Sequence, residues 1–223
     1  MATQLDLEEQ EQLDQLKAFW KKYGNLITWV LVAVLGAYAA YAYWEKRGLE
    51  QSAKAGLLYD ELDRAAQAGD LEKTLRVFGD MKERFPGTGF TQQAGLLTAK
   101  VQAEKAQADA AVATLGWVAE NAGEAEYKTV ARLRLAGLLL EQKKPDEALK
   151  QLAGADAPAF AALVADRRGD VLAAQGKTDE ARAAYQEAFK AMDSRIEYRR
   201  MVEAKLITLG GTPEADAGKK ATS

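Results

Sequence analysis

Glu120, Glu124 and Glu126 come closest in this sequence to a catalytic arrangement. Two carboxylates flanking a glycosidic bond can divide acid and base work between them. On a helical stretch the same spacing reads as a solvated face that forms i,i+4 pairs. Other catalytic groups are missing. The chain has no histidine and no cysteine, so the commonest general base, the thiolate nucleophile and the usual zinc ligands are absent. Its three serines, Ser52, Ser194 and Ser223, lie in no nucleophile-elbow motif. Neither a phosphate loop nor GxGxxG occurs. A non-enzymatic protein with no cofactor and no metal is expected.

Recognition is the remaining chemistry. Tyr59, Arg132, Arg134, Arg167 and Arg168 are candidate groove residues, provided that the helices carrying them line one face. Each arginine also reads as a solvated surface residue or the partner of a neighbouring acid. The net charge of −3 shows no basic excess, so nucleic acid is not an expected partner.

The elements that would position these residues are helices. Alanine, leucine, glutamate, lysine and arginine dominate, and alternating β-branched runs are lacking. "GKTDEARAAYQEAFKAM" reads as a turn at Gly176 followed by a helix, and "VADRRGDVLAAQ" before it reads as a first helix. A spacing of 33 residues relates Gly169, Ala181 and Tyr185 to Ala136, Ala148 and Leu152. A spacing of 37 relates the latter to Ala99, Ala111 and Leu115. A weaker first copy has its turn at Gly69, with Phe78 in its second helix and Pro86 just after it. Two-helix units of about 34 residues are the tetratricopeptide pattern. Small residues such as Gly169 and Ala181 let paired helices approach, Phe78 and Tyr185 fill the space between hairpins, and Pro86 closes its unit. "AGADAP" cuts one second helix short near Ala153, and "SRIEYRRMVEAKLITL" suits a final capping helix.

Ahead of the repeats, no charged side chain occurs from Tyr23 to Trp44. As a helix these residues span about 33 Å, enough for a hydrocarbon core of roughly 30 Å. Tyr41, Tyr43 and Trp44 fit an interfacial belt. "AYA" at Ala37–Ala39 and Ala40–Ala42 resembles a cleavage site, yet the apolar run is too long and its flank too acidic for a signal peptide. An uncleaved anchor in a lipid bilayer is expected. Ala33 and Ala37, and likewise Gly36 and Ala40, stand one turn apart, a spacing that suits close helix packing. Lys17, Lys21 and Lys22 on one side balance Lys46, Arg47 and Lys54 on the other, so charge leaves the orientation undecided. A cysteine-free domain tolerates an oxidising compartment.

The expected fold is all-α: one N-terminal transmembrane helix, then a tetratricopeptide-like helical-hairpin solenoid with a C-terminal capping helix. The expected divisions are an amphipathic tail over residues 1–22, the span over 23–44, the repeat domain over 45–209 and a disordered tail over 210–223.

Three stretches carry a family resemblance. "DLEEQEQLDQLKAFWKKYGNLITWVLVAVLGAYAAYAYW", "AFAALVADRRGDVLAAQGKTDEARAAYQEAF" and "YRRMVEAKLITL" resemble the tail and anchor, the clearest repeat and the final helix of the YfgM family, the ancillary subunit of the bacterial Sec translocon. The resemblance implies a single-pass inner-membrane protein with its N-terminus in the cytoplasm and its repeat domain in the periplasm. It implies association with SecYEG and with the membrane-anchored chaperone PpiD, and a role in passing translocating polypeptides to periplasmic chaperones. A membrane-anchored tetratricopeptide scaffold for another envelope or stress-signalling complex is the alternative.

Overall fold

The computed structural model describes residues 7–213. Most of the tail expected from residue 210 onward, and the first six residues of the N-terminal tail, lie outside that range. The described residues form nine α-helices and no strand: α1 (Leu7–Gln67), α2 (Leu71–Arg84), α3 (Gly89–Glu104), α4 (Ala108–Asn121), α5 (Ala125–Glu141), α6 (Pro145–Ala153), α7 (Ala161–Ala174), α8 (Thr178–Ala191) and α9 (Tyr198–Thr208), with a 3-10 turn at Pro158–Phe160. The chain divides into two compact units between Glu50 and Gln51.

In the first unit, α1 contains a stretch long and apolar enough to cross a membrane, with none of it buried in protein. Leu31, Val34 and Leu35 are each more than half exposed. A helix apolar on all sides and unburied has lipid as its natural solvent.

The second unit is a row of hairpins. Residues 51–67 of α1 pair with α2, then α3 with α4, α5 with α6 and α7 with α8, and α9 follows. One device ends each first helix. Gly69, Ala106, Lys143 and Gly176 all adopt positive φ, between 58° and 74°. The N–H of the next residue reaches back five positions, as in Asp70 to Ala65, Gln107 to Gln102, Lys144 to Leu139 and Lys177 to Leu172. This Schellman closure satisfies two carbonyls that the helix end would otherwise leave free. Glycine meets the left-handed requirement at the two outer turns without strain. At the inner turns an alanine and a lysine bear it. The second helices then start with acids in their first turn, Glu72, Asp109, Asp146 and Asp179, which complement the helix dipole. Asp70 also caps α2 by accepting from the Lys73 N–H at 3.0 Å.

The core runs along the row. Ala99, Ala111 and Leu115, then Ala136, Ala148 and Leu152, then Gly169, Ala181 and Tyr185 are all buried. Large aliphatic side chains at such places contribute about 1.5–3 kcal/mol each when fully buried. Gly95 sits where its own hairpin meets the preceding one: a Cβ there would stand 2.5 Å from Val118 Cγ2 of α4 and 3.1 Å from the Phe78 ring of α2. Phe78 thus spans from its own hairpin to the next and meets Trp117 edge-on at 5.7 Å. Tyr185 packs in one core with Val202 and Leu206 of α9. Its ring lies on Gly169 of its own hairpin, where a Cβ would come within 2.5 Å of it. Pro86 is exposed in the connection between α2 and α3. There Thr88 and Thr91 hydroxyls both bond to the Phe85 carbonyl, at 3.1 and 2.8 Å.

Candidate binding groove

The first helices α3, α5 and α7 stand side by side and supply most of one face. Two features stitch that face together. At the helix starts, sixteen residues before each left-handed turn, stand Phe90, Tyr127 and Phe160. Phe90 packs against Gly56 and meets the Tyr59 ring at 5.9 Å. The Tyr127 hydroxyl is 2.6 Å from the Gln93 amide nitrogen, which donates to it. Phe160 shares a depression with Val130 and Leu133 of α5. At the helix ends, the Gln142 amide donates to Asp109 at 3.0 Å and the Gln175 amide donates to Asp146 at 2.7 Å. Each of these glutamines reaches back to the second helix of the preceding hairpin.

Between these seams lie two depressions that share a wall. One, of about 290 Å³, has Ala99, Ala103, Leu115 and Leu138 as floor and Lys100, Arg134, Glu141 and Arg167 as rim. The other, of about 320 Å³, is lined by Val130, Phe160, Leu163 and Tyr198. Leu133, Arg134 and Arg167 belong to both. Arg134 is exposed and donates to the Leu96 carbonyl at 3.1 Å, so much of its guanidinium fork stays free. Arg167 stands 3.5 Å from Asp170. The two other candidate arginines point elsewhere. Arg168 pairs with Glu187 of α8, and Arg132 lies against Gly154 after α6. Tyr59 is half-buried in the aromatic seam, where burial and the nearby Asp63 raise its pKa. In the first unit, a Cβ on Gly36 would meet nothing within 4 Å, and the described neighbours give it no helix partner.

A charged cluster that the sequence did not announce closes the far end. Asp166, only 2% exposed, accepts from Lys205 Nζ at 2.9 and 3.0 Å and from the Tyr198 hydroxyl at 2.7 Å. Asp170 accepts from Lys205 at 2.7 Å and from the Tyr185 hydroxyl at 2.9 Å. Burial pulls the Lys205 ammonium down, but its hydrogen bonds to Asp166 and Asp170 outweigh this and hold it above its ordinary value. Burial first, then Asp170, pushes the Tyr185 phenol up, and burial with the Asp166 hydrogen bond does the same to Tyr198. The cluster ties α7 and α8 to α9. Among the described residues no group of acids is placed to hold a metal ion.

A family model described as a tetratricopeptide repeat-like domain matches residues 17–211. The ancillary SecYEG translocon subunit of Neisseria gonorrhoeae (strain ATCC 700825 / FA 1090) is 30% identical over 204 residues, covering 91% of this chain and 98% of the relative. The protein of the same name from Haemophilus influenzae (strain ATCC 51907 / DSM 11121 / KW20 / Rd) is 27% identical over 91% of this chain and 98% of its own length. That of Escherichia coli (strain K12) is 26% identical, with 82% and 88% covered.

Proposed function

The chain belongs to the family of ancillary SecYEG translocon subunits with a tetratricopeptide repeat-like domain, and on that premise we propose that it is a membrane-anchored, non-enzymatic accessory subunit of the Sec translocon. The observation carrying this reading is the extent of the match: similarity runs through the apolar stretch and the repeats together, over 98% of the Neisseria relative. A repeat domain alone would resemble many scaffolds. The combination of anchor and repeats supports this reading over a general scaffold.

Residues 23–44 hold the repeat domain at the channel, with residues 1–22 in the cytoplasm and the repeats in the periplasm. The face of first helices, centred on Leu133, Arg134 and Arg167, receives segments of translocating polypeptides or of a PpiD-type chaperone. The apolar floor contributes area, and the arginine forks orient carboxylates or backbone carbonyls. Tethering raises local concentration, so a weak groove gives useful occupancy. The stripe of Ala33, Gly36, Ala37 and Ala40 packs against a neighbouring span in this assembly.

The test is purification of the tagged full chain in mild detergent. SecY and a PpiD-type chaperone should be enriched over bulk membrane protein. Enrichment of a different envelope complex, with SecY at background, would move the protein to the general scaffold reading. Because the chain lacks cysteine, single cysteines introduced near residues 12 and 60 also report orientation. A membrane-impermeant maleimide applied outside spheroplasts should label only the second.

A further inference from the structure

Residues 11–23 of α1 carry an apolar arc whose side chains are exposed. At about 100° per residue, Phe19, Tyr23, Leu16, Trp20 and Leu13 fall in that order within about 120° of the helix circumference. Gln12 is the one polar residue among them, while Glu11, Asp14, Gln15, Lys17, Lys21 and Lys22 occupy the remainder. All five apolar side chains are exposed, from 38% at Tyr23 to 62% at Leu16. Phe19 meets Tyr23 at 5.1 Å, and a Cβ on Gly24 would lie 3.2 Å from the Trp20 ring.

We propose that residues 11–23 form an interfacial helix lying in the plane of the membrane, with this arc in the headgroup–acyl boundary and a bend at Gly24 joining it to the span. Three observations select lipid as the occupant. The arc runs directly into the apolar stretch, so the bilayer is its nearest apolar medium. A straight perpendicular continuation would place Leu13 about 15 Å beyond Tyr23, past a headgroup layer of roughly 5–7 Å, and leave the arc in water. The residue types fit as well: Trp20, Tyr23 and Phe19 are rings suited to the interface. Lys17, Lys21 and Lys22 lie in the half of the segment next to the span, where they complement anionic headgroups, while Glu11 and Asp14 lie farther from it. A second copy of the chain is a poorer occupant. A paired-helix seam needs a narrower aliphatic stripe, and two heptads are short for a stable coiled coil. In the structure α1 runs on through Gly24, and the residues there favour a bend on the membrane. The Thr28 hydroxyl donates to the Gly24 carbonyl at 2.8 Å, a back-bond that bends helices, and Asn25 follows the glycine.

The inference rests on the membrane span proposed above, and one experiment separates the two. The full chain is reconstituted in nanodiscs of zwitterionic and anionic phospholipid. Spin labels are placed at single cysteines made by Leu13→Cys, Leu16→Cys, Trp20→Cys, Asp14→Cys, Ala18→Cys and Lys22→Cys. Failure to incorporate would remove the span itself. With the chain incorporated, the ratio of oxygen to nickel-chelate accessibility should be several-fold higher at 13, 16 and 20 than at 14, 18 and 22. Positions 13 and 20 should share one depth. A difference of about 10 Å between them, as a perpendicular helix requires, would overturn the proposal. So would uniform access to the nickel chelate, or dipolar broadening at 13 and 16, which would assign the arc to a second copy.

Discussion

Leu152 and Tyr185 occupy the same place in successive hairpins, Leu152 in a core shared with Ala136 and Tyr185 against Gly169, and they solve the same packing problem with different chemistry. At that place the earlier hairpin uses apolar area: a methyl on one helix and an isobutyl on the other share its core. The later one removes the methyl and inserts a ring, whose hydroxyl then reaches Asp170. That exchange brings a polar anchor to the edge of the row, where Lys205 completes it from α9. Interior repeats bury surface, whereas the last also holds the short α9, the final helix among the described residues.

Breaking the polar side of this comparison should have the largest effect. Lys205→Met removes the cation from Asp166, which remains almost fully buried with Tyr198 as its donor. Orphaning a buried charge costs about 3 kcal/mol, a fall of roughly 10 °C in Tm by circular dichroism of the full chain in micelles. Asp166→Asn combined with Lys205→Met should recover part of that loss. A single variant losing under about 1 kcal/mol would mean that α9 docks through its apolar contacts alone.

Substitutions at the paired small residues sharpen the contrast. Gly169→Ala drives a methyl into the Tyr185 ring and should cost about 1–3 kcal/mol. Ala136→Gly loses only a methyl and some backbone restriction, about 1 kcal/mol. Equal losses in chemical denaturation would show that the ring has room to shift.

The cluster should also weaken in alkali. Lys205, Tyr185 and Tyr198 all have folded values raised above their unfolded ones. Each therefore holds its proton more tightly when folded, and its contribution is complete below the unfolded value, roughly pH 10. The contribution declines as pH rises through the folded values. Tm of the unaltered chain should fall as pH rises above about 10, and that of Lys205→Met should fall less steeply. Parallel curves would remove Lys205 from the account.

The smallest effects lie at the turns. Lys143→Gly and Ala106→Gly relieve a left-handed residue and should each stabilise by about 0.5–1 kcal/mol. Gly69→Ala and Gly176→Ala should destabilise by a similar amount. A uniform loss at all four positions would show that side-chain contacts, rather than φ, decide these sites.

The hairpin row was readable because its signal is local and periodic. Ala99, Ala111 and Leu115 recur as Ala136, Ala148 and Leu152, and burial imposes small, small and large side chains at constant offsets. The ring ladder of Phe90, Tyr127 and Phe160 keeps the same offsets and was open to the same count, taken from the turns instead of from the alanines. The charged cluster had no such signature. Asp166 and Lys205 stand 39 residues apart, and each resembles an ordinary surface charge until α9 is placed beside α7. The arginines illustrate the same limit. Arg167 and Arg168 are adjacent in sequence, yet one lines both depressions and the other turns to Glu187. A 100° step around a helix separates the two, and only the placement of neighbouring helices says which direction is groove.

The two seams of the first-helix face have a mechanical consequence. Aromatic contacts pin the starts of these helices, and the Gln142–Asp109 and Gln175–Asp146 bonds pin their ends. Neighbouring helices cannot fan apart at one end without stretching a contact there, so the softest deformation is a small concerted rotation shared along the row. The domain therefore resembles a leaf spring more than a set of hinged plates: a load at one hairpin is spread over the others, and the groove changes width everywhere by a little.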